Sequence, residues 1–540
     1  MGFIYKLAET PTEFEQIHEL NYRTFVEEIP QHERNEAHKL VDKFHDENTY
    51  IICVKDGRVI GMLAVRSKRP FSLDGKIGPV EQQLPFQVKN PVEIRLLAIE
   101  PDYRNGRAFL GLAQALVRYC TKAGYDVALI SGTVREQKLY GQLGFLPFAQ
   151  LTGTAEAAFQ PMYLTKETFE AGVAGRISAS HVNFLPGPTT ISEEVRAMMM
   201  AEPFSHRSSA FDSVVERVKM RLTLLTSAKY VQLLQGTGTL ANDVVAAQLS
   251  NRNGKGLILV NGEFGSRLTD HAKRFGLAYD TLEADWGSTF DDREISKAVG
   301  SGRYSWLWFV HCETSTGVLN NLHDLKKLCL QADVLLAVDC ISAIGTVPID
   351  LTDVAFASGV SGKGLLSYTG LSFVFHNEDV AKNDELPRYL DLGAYVEAQG
   401  IPYTMSSNLV SALEMALRKY EYSETVFMNL ARRARKVRAA VEGAGLIILA
   451  SEISSSPAIM TITMPEGYSA VQLGDDLFLN GFNVHYESVY LRDRNWLQIA
   501  CMNDVTEAEL DAMLGALDAL TRTIMKRNGD DEDERTTNKQ

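Results

Sequence analysis

The sequence predicts an α/β protein of two domains, each with helices packed against a sheet. Three observations lead to this prediction. The chain has 540 residues, more than one hydrophobic core ordinarily holds. Short apolar segments that are typical of strands alternate with amphipathic segments that are typical of helices. The pattern also changes near residue 182, where small residues give way to a long, regular series of strands and helices.

Composition narrows the function classes. The formal net charge is −14, which argues against a nucleic-acid partner because phosphates require a basic surface. The N-terminus has no signal-peptide pattern, and no apolar run reaches the ~18 residues of a membrane span. The six cysteines form no CxxC pair, which indicates buried thiols in a reducing compartment. We therefore expect a cytoplasmic protein without structural metal.

The first domain is predicted to comprise residues 1–168, a mixed α/β arrangement. A helix is expected over Thr12–Phe25 and a hairpin over 49–67, turning at Asp56-Gly57-Arg58. The segment 92–101 is a further strand, and a Gly-containing turn then leads into a helix over Ala108–Ala123.

Residues 169–181 are predicted to be a linker because they are small and weakly patterned. Residues 182–525 then alternate strands with helices, which predicts a mostly parallel sheet with helices on both faces and a smaller C-terminal subdomain. Residues 526–540 are almost purely polar, and we expect a disordered acidic tail.

Polar residues follow the strands of the second domain at their carboxyl ends, where ligands of such sheets bind. The segment FVHCETSTGV, 309–318, opens like a buried strand and ends in hydroxyls. An ST-turn explains that pattern equally well. Other strands run into Gly236-Thr237-Gly238-Thr239, into Asp339 with Ser342, and into Lys363.

Each of these features has an ordinary structural explanation: a simple turn, an N-cap aspartate and a surface lysine. Together they are more specific. A Gly/Thr turn before a helix can cradle a phosphate, a buried carboxylate can hold a protonated pyridine nitrogen, and a lysine can bond to an aldehyde. This combination predicts a pyridoxal 5'-phosphate enzyme.

Residues 182–525 resemble the class V, fold-type I, pyridoxal-phosphate aminotransferases, in particular 2-aminoethylphosphonate–pyruvate and alanine–glyoxylate transaminases. The resemblance is carried by LPGPTTISEEV, LLQGTGT, VNGEFGSR, VHCETSTGVLN, VDCISAIGTVPID, SGKGLLSYTGLSFVF and YTMSSNLVSALEMAL.

The resemblance implies a role for each matching residue. Lys363 is the Schiff-base lysine, Asp339 is the partner of the pyridine nitrogen, and Phe264 stacks on the ring. Further cofactor contacts are implied for the phosphate loop, for the 314–316 hydroxyls near the phenolic oxygen and for Ser342, namely Thr237, Gly238, Thr239, Thr314, Ser315, Thr316 and Ser342. Thr404 and Ser406 match a segment that reaches the partner subunit's phosphate, which implies a homodimer.

One position departs from the family pattern. An arginine near the C-terminal end usually grips the substrate's carboxylate or phosphonate, and Gln498 stands there in this chain. Glutamine cannot form a bidentate charged pair with an anion. Either the substrate lacks that anion, or Arg207, Arg492 or Arg494 replaces the missing guanidinium.

Residues 1–165 resemble the GNAT acyltransferase superfamily, most closely the autoinducer synthases and N-acyl amino acid synthases. The resemblance is carried by NYRTFVEE, by LVDKFHDENTYIICVKDGRVIGMLAVRS, by VEIRLLAIEPDYRNGRA and by LYGQLGF. It implies an acyl-thioester site framed by the strand that contains Glu93 and Arg95.

In that site a base such as Glu93 takes the proton of the attacking amine, and Tyr140 protonates the departing thiolate. Backbone N–H groups at Arg104-Asn105-Gly106 would hold the pyrophosphate of a coenzyme A ester. The glycine signature around them is degenerate, which leaves an acyl carrier protein open as the donor. The structural alternatives are a Glu93–Arg95 ion pair and packing of Tyr140 beside Phe145.

Three hypotheses follow from the two halves. The first is a bifunctional enzyme that makes an amine by transamination and then N-acylates it. In the second, the first half only binds a thioester or a carrier protein. In the third, the pyridoxal-phosphate domain is a decarboxylase or a lyase.

Overall fold

The computed structural model describes residues 2–29, 32–104, 106–153, 158–172, 181–398 and 401–537. Contacts divide the chain into two compact units. Unit 1 contains residues 1–182, 472–483 and 515–540, and unit 2 contains residues 183–471 and 484–514. The predicted domain ranges differ from this division because two segments of the second half of the sequence belong to unit 1.

Unit 1 is built on a seven-stranded sheet in the order β1-β2-β3-β4-β5-β7-β6. Its strands are β1 Ile4–Leu7, β2 Thr49–Lys55, β3 Arg58–Arg66, β4 Pro91–Ile99, β5 Val127–Thr133, β6 Leu146–Pro147 and β7 Phe159–Leu164. Its helices are α1 Pro11–Tyr22, α2 Asp74–Ile77, α3 Arg107–Ala123, α4 Gln137–Gln142 and α5 Lys166–Ala171. The predicted hairpin over 49–67 is confirmed as β2 and β3. The predicted helix over Ala108–Ala123 is confirmed as α3, which starts one residue earlier than expected.

Capping residues define the start of the first helix. Thr10 and Glu13 form a reciprocal capping box at the start of α1. The α-helix ends at Tyr22, and a π-helical turn, Arg23–Glu28, continues the chain, so the predicted end at Phe25 falls inside that turn. At the hairpin, Asp56 and Gly57 both adopt positive φ, as a two-residue hairpin turn requires.

The strands β4 and β5 separate partway along their length. They pair in parallel from Pro91 to Glu93, opposite Val127 to Leu129. Beyond Glu93, β4 continues to Ile99 and β5 to Thr133 without further pairing to each other. The sheet therefore opens at Glu93, and its backbone there is free to face a ligand.

The remaining strands and helices belong mainly to unit 2. The strands are β8 Val182–Asn183, β9 Tyr230–Gln235, β10 Gly256–Val260, β11 Tyr279–Glu283, β12 Trp306–Val310, β13 Cys312–Glu313, β14 Val318–Leu319, β15 Leu335–Asp339, β16 Phe356–Val360, β17 Leu371–His376, β18 Ile447–Ile448, β19 Ile459–Thr463, β20 Phe482–Asn483 and β21 Trp496–Ala500. The helices are α6 Glu193–Met200, α7 Ser209–Thr226, α8 Gly238–Ser250, α9 Glu263–Arg274, α10 Asp292–Val299, α11 Leu322–Gln331, α12 Leu392–Glu397, α13 Ser407–Leu417, α14 Ser423–Gly443, α15 Ala470–Leu479, α16 Val489–Arg494 and α17 Glu507–Thr537. Residues 182, 472–483 and 515–537 of these elements count with unit 1.

The main sheet of unit 2 has the order β11-β10-β12-β15-β16-β17-β9. Only β17 runs against its neighbours, so the prediction of a mostly parallel sheet is confirmed. Successive strand residues enter opposite cores: Leu307 and Phe309 pack in one apolar cluster, and Trp306 and Trp308 in the other. Helices therefore cover both faces. A three-stranded sheet, β18-β19-β21, belongs to the smaller C-terminal part.

The free edge of β1 is covered by a segment from the second half of the sequence. The Asn480 side chain pairs with the Tyr5 backbone: Nδ2 donates to the carbonyl oxygen (2.7 Å) and Oδ1 accepts from the N–H (3.1 Å). Asp476 accepts from the Leu7 N–H at 3.3 Å. Leu479 is buried in the core between the sheet and α3. These side chains satisfy backbone groups that an edge strand otherwise exposes.

Two boundary predictions require correction. Residues 169–171 of the predicted linker belong to α5, which Thr165 caps and which buries Phe169. Residues 173–180 lie outside the described residues. The tail expected to be disordered, 526–540, continues α17 as far as Thr537.

All six cysteines are free thiols. No helix among the described residues combines the length and the apolar character needed to cross a membrane.

Candidate active site

The carboxyl ends of the unit 2 strands enclose a cavity of about 540 Å³. Loops after β9, β12, β15 and β16 meet there, as the parallel topology requires. Eight of the residues predicted for the cofactor line this cavity: Thr237, Gly238, Thr239, Phe264, Thr314, Asp339, Ser342 and Lys363.

Asp339 ends β15 and is almost fully buried. Its Oδ2 accepts from Asn242 Nδ2 at 2.8 Å and its Oδ1 from the Ile341 N–H at 2.9 Å. Asn242 is oriented in turn by Ser358 Oγ, which donates to Asn242 Oδ1 at 2.7 Å. Burial raises the pKa of Asp339, and these donors and Lys363 oppose that rise. The carboxylate is therefore held in a fixed orientation to meet a cation.

Lys363 follows β16 and is half-buried at the cavity wall. Its Nζ donates to the Pro186 carbonyl oxygen at 3.4 Å. Burial lowers its pKa, which favours the neutral amine that a nucleophile or base needs. The loop that carries it is anchored by the buried Tyr420 hydroxyl, which donates to the carbonyl oxygens of Gly345 and Gly364.

The turn between β9 and α8 forms the predicted cradle. Thr237 is the N-cap of α8 and makes no side-chain cap bond, and Gly238 opens the helix. A Cβ at Gly238 would come within 2.5 Å of Ile341 Cδ1, so a larger residue here would have to displace the end of that side chain. The first N–H groups of a helix lack intrahelical partners and attract anions. Together with Asp339 and Lys363, this turn fits pyridoxal 5'-phosphate.

The three hydroxyl side chains after β12, at residues 314–316, lie in different environments. Thr314 lines the cavity, and its Oγ1 lies 2.5 Å from Ser342 Oγ. Ser315 and Thr316 are fully buried and do not line the cavity. Ser315 Oγ accepts from the Glu263 N–H at 3.0 Å and donates to Glu313 at 2.5 Å. Of the three hydroxyls, the structure therefore brings only that of Thr314 to the cofactor cavity.

Gln498 lies behind the cavity wall and is fully buried. Its Nε2 lies 2.7 and 3.1 Å from the carbonyl oxygens of Thr314 and Ser315 and 2.8 Å from Thr461 Oγ1. Its Oε1 accepts from the Tyr490 hydroxyl at 3.4 Å. The side-chain amide of Gln498 therefore bonds to other groups of the protein and fixes the 314–315 turn. It does not present a donor to a substrate.

The three arginines considered as substitutes for the missing clamp do not line the cavity. Arg207 donates to the carbonyl oxygens of Ile401 and Pro402. Arg494 stacks on Trp286 at 3.9 Å, and Arg492 is exposed on α16. The guanidinium that does line the cavity is Arg267, which packs on the Phe264 ring at 4.9 Å.

The lining residues that the sequence did not predict include Asn242, Arg267 and His271. Asn242 stands four residues after Gly238, so the helical period alone could have placed it on the cavity side of α8. Arg267 stands one turn after Glu263, whose carboxylate it contacts at 3.1 Å. His271 contacts Asp243 at 2.6 Å, a pairing between helices that no local pattern indicates.

Thr404 and Ser406 do not line the cavity within the single chain. Ser406 caps α13, and its N–H donates to Gln235 Oε1 at 2.8 Å. Their contact with a partner subunit stays a prediction.

Unit 1 holds the other candidates. Glu93 is buried at the point where β4 and β5 separate, and it accepts from the N–H groups of Ser72 (2.8 Å) and Leu73 (2.9 Å). Burial raises its pKa. Arg95 lies 3.9 Å from Glu93 but makes a bidentate pair with Asp42, at 3.1 Å for both bonds. The Glu93–Arg95 ion pair expected as the structural alternative is therefore present, but it is weaker than the pair that Arg95 makes with Asp42.

Tyr140 packs edge-on against Phe145, with ring centroids 6.2 Å apart, as the structural alternative expected. Burial raises the pKa of its hydroxyl, which keeps the proton available for donation. Gly106 is the N-cap of α3 with φ +89°, and Arg104 pairs with Glu28 at 2.6 Å. Asn105 lies outside the described residues. The described residues contain no cluster suited to a metal ion.

The fold of unit 2 is similar to that of the pyridoxal-phosphate aminotransferases. Residues 194–412 match the family model of class V aminotransferases, and residues 16–165 match the model of N-acyl amino acid synthase FeeM. The second half of the chain therefore matches class V aminotransferases and the first half matches an N-acyl amino acid synthase, which indicates that the protein is an enzyme.

Individual relatives match the aminotransferase part. The 2-aminoethylphosphonate–pyruvate transaminase of Pseudomonas fluorescens is 26% identical over 364 residues, 64% of this chain and 98% of that protein. The soluble hydrogenase 42 kDa subunit of Anabaena cylindrica is 29% identical over 297 residues, 52% of this chain and 78% of that protein. Alanine–glyoxylate aminotransferase from Nostoc has a TM-score of 0.58 at 25% identity, covering 63% of this chain and 95% of its own.

Proposed function

We propose that this protein is a bifunctional enzyme. Unit 2 transfers an amino group with pyridoxal 5'-phosphate, and unit 1 attaches an acyl group from a thioester to an amine. One observation carries the first activity: Lys363, Asp339 and the Gly236–Thr239 turn line a single cavity. The second activity is supported by Glu93 at the opening between β4 and β5, in a domain that matches N-acyl amino acid synthases.

The cofactor supplies an electron sink for the bond broken beside the amino group. Lys363 would anchor it and, as a neutral amine, would take and return the proton at the substrate carbon. Asp339 would accept a hydrogen bond from the protonated pyridine nitrogen, and Asn242 keeps that carboxylate oriented. The Thr314 and Ser342 hydroxyls would hold the phenolic oxygen. The cradle would hold the phosphate at the start of α8.

In the second reaction, the amine nitrogen forms a bond to the thioester carbonyl carbon, and the carbon–sulfur bond breaks. Glu93 takes the proton that the amine loses, directly or through water, and Tyr140 gives a proton to the departing thiolate. The donor is an acyl-coenzyme A or an acyl carrier protein. Joining both domains in one chain raises the local concentration of a shared amine.

We also propose that the protein works as a cytoplasmic homodimer in which Thr404 and Ser406 reach the cofactor phosphate bound by the partner. The exposed position of Thr404 in the single chain is compatible with such a contact. Light scattering would give the mass of the native protein. A monomer that retains full amino transfer would contradict this part of the proposal.

The test combines the purified protein, pyridoxal 5'-phosphate, an amino donor, a keto or aldehyde acceptor and an acyl thioester. Mass spectrometry should find an N-acyl product whose nitrogen comes from the labelled donor. Lys363→Ala should stop amino transfer and still acylate an amine that is added directly. Glu93→Gln should stop acylation and leave amino transfer intact.

A second candidate is favoured by the hydrogen bonds of Glu93, which tie down the backbone at Ser72 and Leu73. In this candidate Glu93 is structural, and unit 1 binds a thioester or a carrier protein without chemistry. Thioester binding without any N-acyl product, whichever amine is supplied, would favour it over the bifunctional enzyme.

A further inference from the structure

Helix α9 begins without a capping side chain of its own. It starts at Glu263, and the residue before it is Gly262, which has no side chain to accept a hydrogen bond. The first N–H groups of a helix have no partner within the helix. At α9 they lie in a buried region beside the cavity, where leaving them unpaired would be costly.

A neighbouring segment supplies the missing acceptors. Glu313 accepts from the Phe264 N–H at 3.3 Å and from the Gly265 N–H at 2.9 Å. Ser315 Oγ accepts from the Glu263 N–H at 3.0 Å. Both capping residues are fully buried. Three successive N–H groups of α9 are thus satisfied by two side chains from the segment after β12.

The contact is too close for any side chain at residue 262. A Cβ there would lie 2.5 Å from Glu313 Cγ and Cδ and 2.5 Å from Ser315 Oγ. The φ of Gly262 is 175°, which any residue can adopt, so the requirement for glycine comes from space and not from backbone strain. Glu313 itself is held by Ser315, whose N–H and Oγ donate to Oε1 at 3.1 and 2.5 Å.

This cap fixes the part of α9 that faces the cavity. Phe264 and Arg267 both line the cavity, and Glu313 does not. The N–H of Phe264 is one of the groups that Glu313 holds. We propose that Glu313 is a positioning residue that fixes Phe264, and with it the guanidinium of Arg267, against the bound cofactor ring. The inference rests on the proposed pyridoxal-phosphate function of unit 2.

The cap on α9 requires a carboxylate at residue 313, because both oxygens of a carboxylate act only as hydrogen-bond acceptors. Glu313 receives four hydrogen bonds from N–H and O–H groups, and a helix N-terminus stabilises negative charge. A glutamine of the same shape would turn an NH₂ group toward one set of these donors. Glu313→Gln therefore removes part of the cap without creating a cavity.

The experiment compares Glu313→Gln with Asp291→Ala in the full chain. Asp291 caps α10 in the same unit, accepting from the N–H groups of Arg293 and Glu294, and it does not line the cavity. Asp291→Ala loses a helix cap and Glu313→Gln loses part of one, so a general loss of stability is expected in both. Pyridoxal 5'-phosphate is titrated into each, and three quantities are read: the dissociation constant, the visible circular dichroism of the bound cofactor, and amide exchange at residues 263–265.

Glu313→Gln should weaken cofactor binding by about tenfold, reduce the visible dichroism and speed exchange at 263–265. Asp291→Ala should change none of these three. Ser315→Ala, which removes one acceptor, should show the same pattern to a smaller extent if Glu313→Gln does not fold. Faster exchange at 263–265 with unchanged binding and dichroism would overturn the positioning role alone. A wild-type protein that binds no pyridoxal 5'-phosphate would overturn the proposed function as well.

Discussion

Asn242 donates its side-chain N–H to Asp339 at 2.8 Å, from the first turns of α8 to the end of β15. The same amide accepts from Ser358 Oγ at 2.7 Å, so both ends of the Asn242 side chain are held. The buried carboxylate of Asp339 therefore has a hydrogen-bond donor from the protein and does not depend on water for it. Asn242 is therefore part of the proposed cofactor site, although it was not among the residues predicted from sequence.

Replacing Asn242 with alanine should weaken the cofactor site. Asp339 loses a donor worth about 1.5–3 kcal/mol to a charged group, and its pKa should rise further. We expect roughly tenfold weaker binding of pyridoxal 5'-phosphate, read from its visible absorption on titration. Asn383→Ala, an amide on the surface that contacts Asn251, is the matched control and should leave binding unchanged. Equal affinities for the two variants would contradict the role of Asn242.

Tyr420 should matter for both stability and amino transfer. Its buried hydroxyl contacts the carbonyl oxygens of Gly345 and Gly364, and Gly364 follows Lys363 directly. Tyr420→Phe removes that donor and leaves two carbonyl groups short of a partner, a loss of about 1–3 kcal/mol. Thermal unfolding should shift down by several degrees, and amino transfer should slow because the Lys363 loop loosens.

Tyr422→Phe provides the comparison, because Tyr422 is exposed two residues away. It should behave as wild type in both assays. If Tyr420→Phe unfolds at a lower temperature but transfers amino groups at the wild-type rate, the hydroxyl stabilises the fold without positioning Lys363.

The contribution of the segment that covers the edge of β1 to the stability of unit 1 can be tested with two variants of that segment. Asn480→Ala removes both hydrogen bonds to the Tyr5 backbone, which should destabilise unit 1 by about 1–3 kcal/mol. Asp475 lies in α15, which ends directly before Asn480. Asp475→Ala removes its partly exposed ion pair with Lys122 and should cost no more than about 1 kcal/mol. Amide exchange in peptides from β1 would measure both. Similar exchange in the two variants would show that the Tyr5 contact contributes no more than an ordinary surface pair.

Asp476 should make the stability of unit 1 depend on pH. Burial raises its pKa to about 8, against the opposing effect of Lys6. An unfolded aspartate has a pKa of about 3.9, so between about pH 4 and pH 8 the folded chain holds a proton that the unfolded chain has lost. The free energy of unfolding therefore falls as pH rises in that window, by up to about 1.4 kcal/mol per pH unit.

Asp476→Asn cannot ionise and keeps an oxygen to accept from the Leu7 N–H. Its stability advantage over wild type should therefore grow from acid toward about pH 8 and then level off. Amide exchange in β1, measured for both proteins across this range, gives the difference. Parallel pH profiles would contradict the assignment to Asp476.

Local sequence patterns predicted most of the architecture. The alternation of apolar segments with amphipathic ones indicates the parallel sheet, and polar strand ends led to Thr237, Asp339 and Lys363 because parallel strands bring their carboxyl ends together. The reversed direction of β17 was not predictable in this way, since a fully buried strand has the same apolar pattern in either direction.

Tertiary hydrogen bonds account for the other differences. Ser315 has the residue type of a cofactor ligand, but its hydroxyl caps a helix that begins more than fifty residues earlier in the chain. Gln498 was recognised as a departure from the family pattern, but its commitment to Thr314, Ser315 and Thr461 depends on the packing of β19 and β21. Such contacts join positions that no periodicity in the sequence relates.

The cover on β1 also bears on how the protein is synthesised. Residues 4–7 leave the ribosome early, but Asp476, Leu479 and Asn480, which satisfy or bury groups of the same unit, follow only after residues 183–471. During that interval β1 has a bare edge able to pair with another nascent chain. Vectorial synthesis therefore finishes unit 1 only after most of unit 2 has emerged, and a chaperone that shields the edge strand would have its greatest effect in that interval.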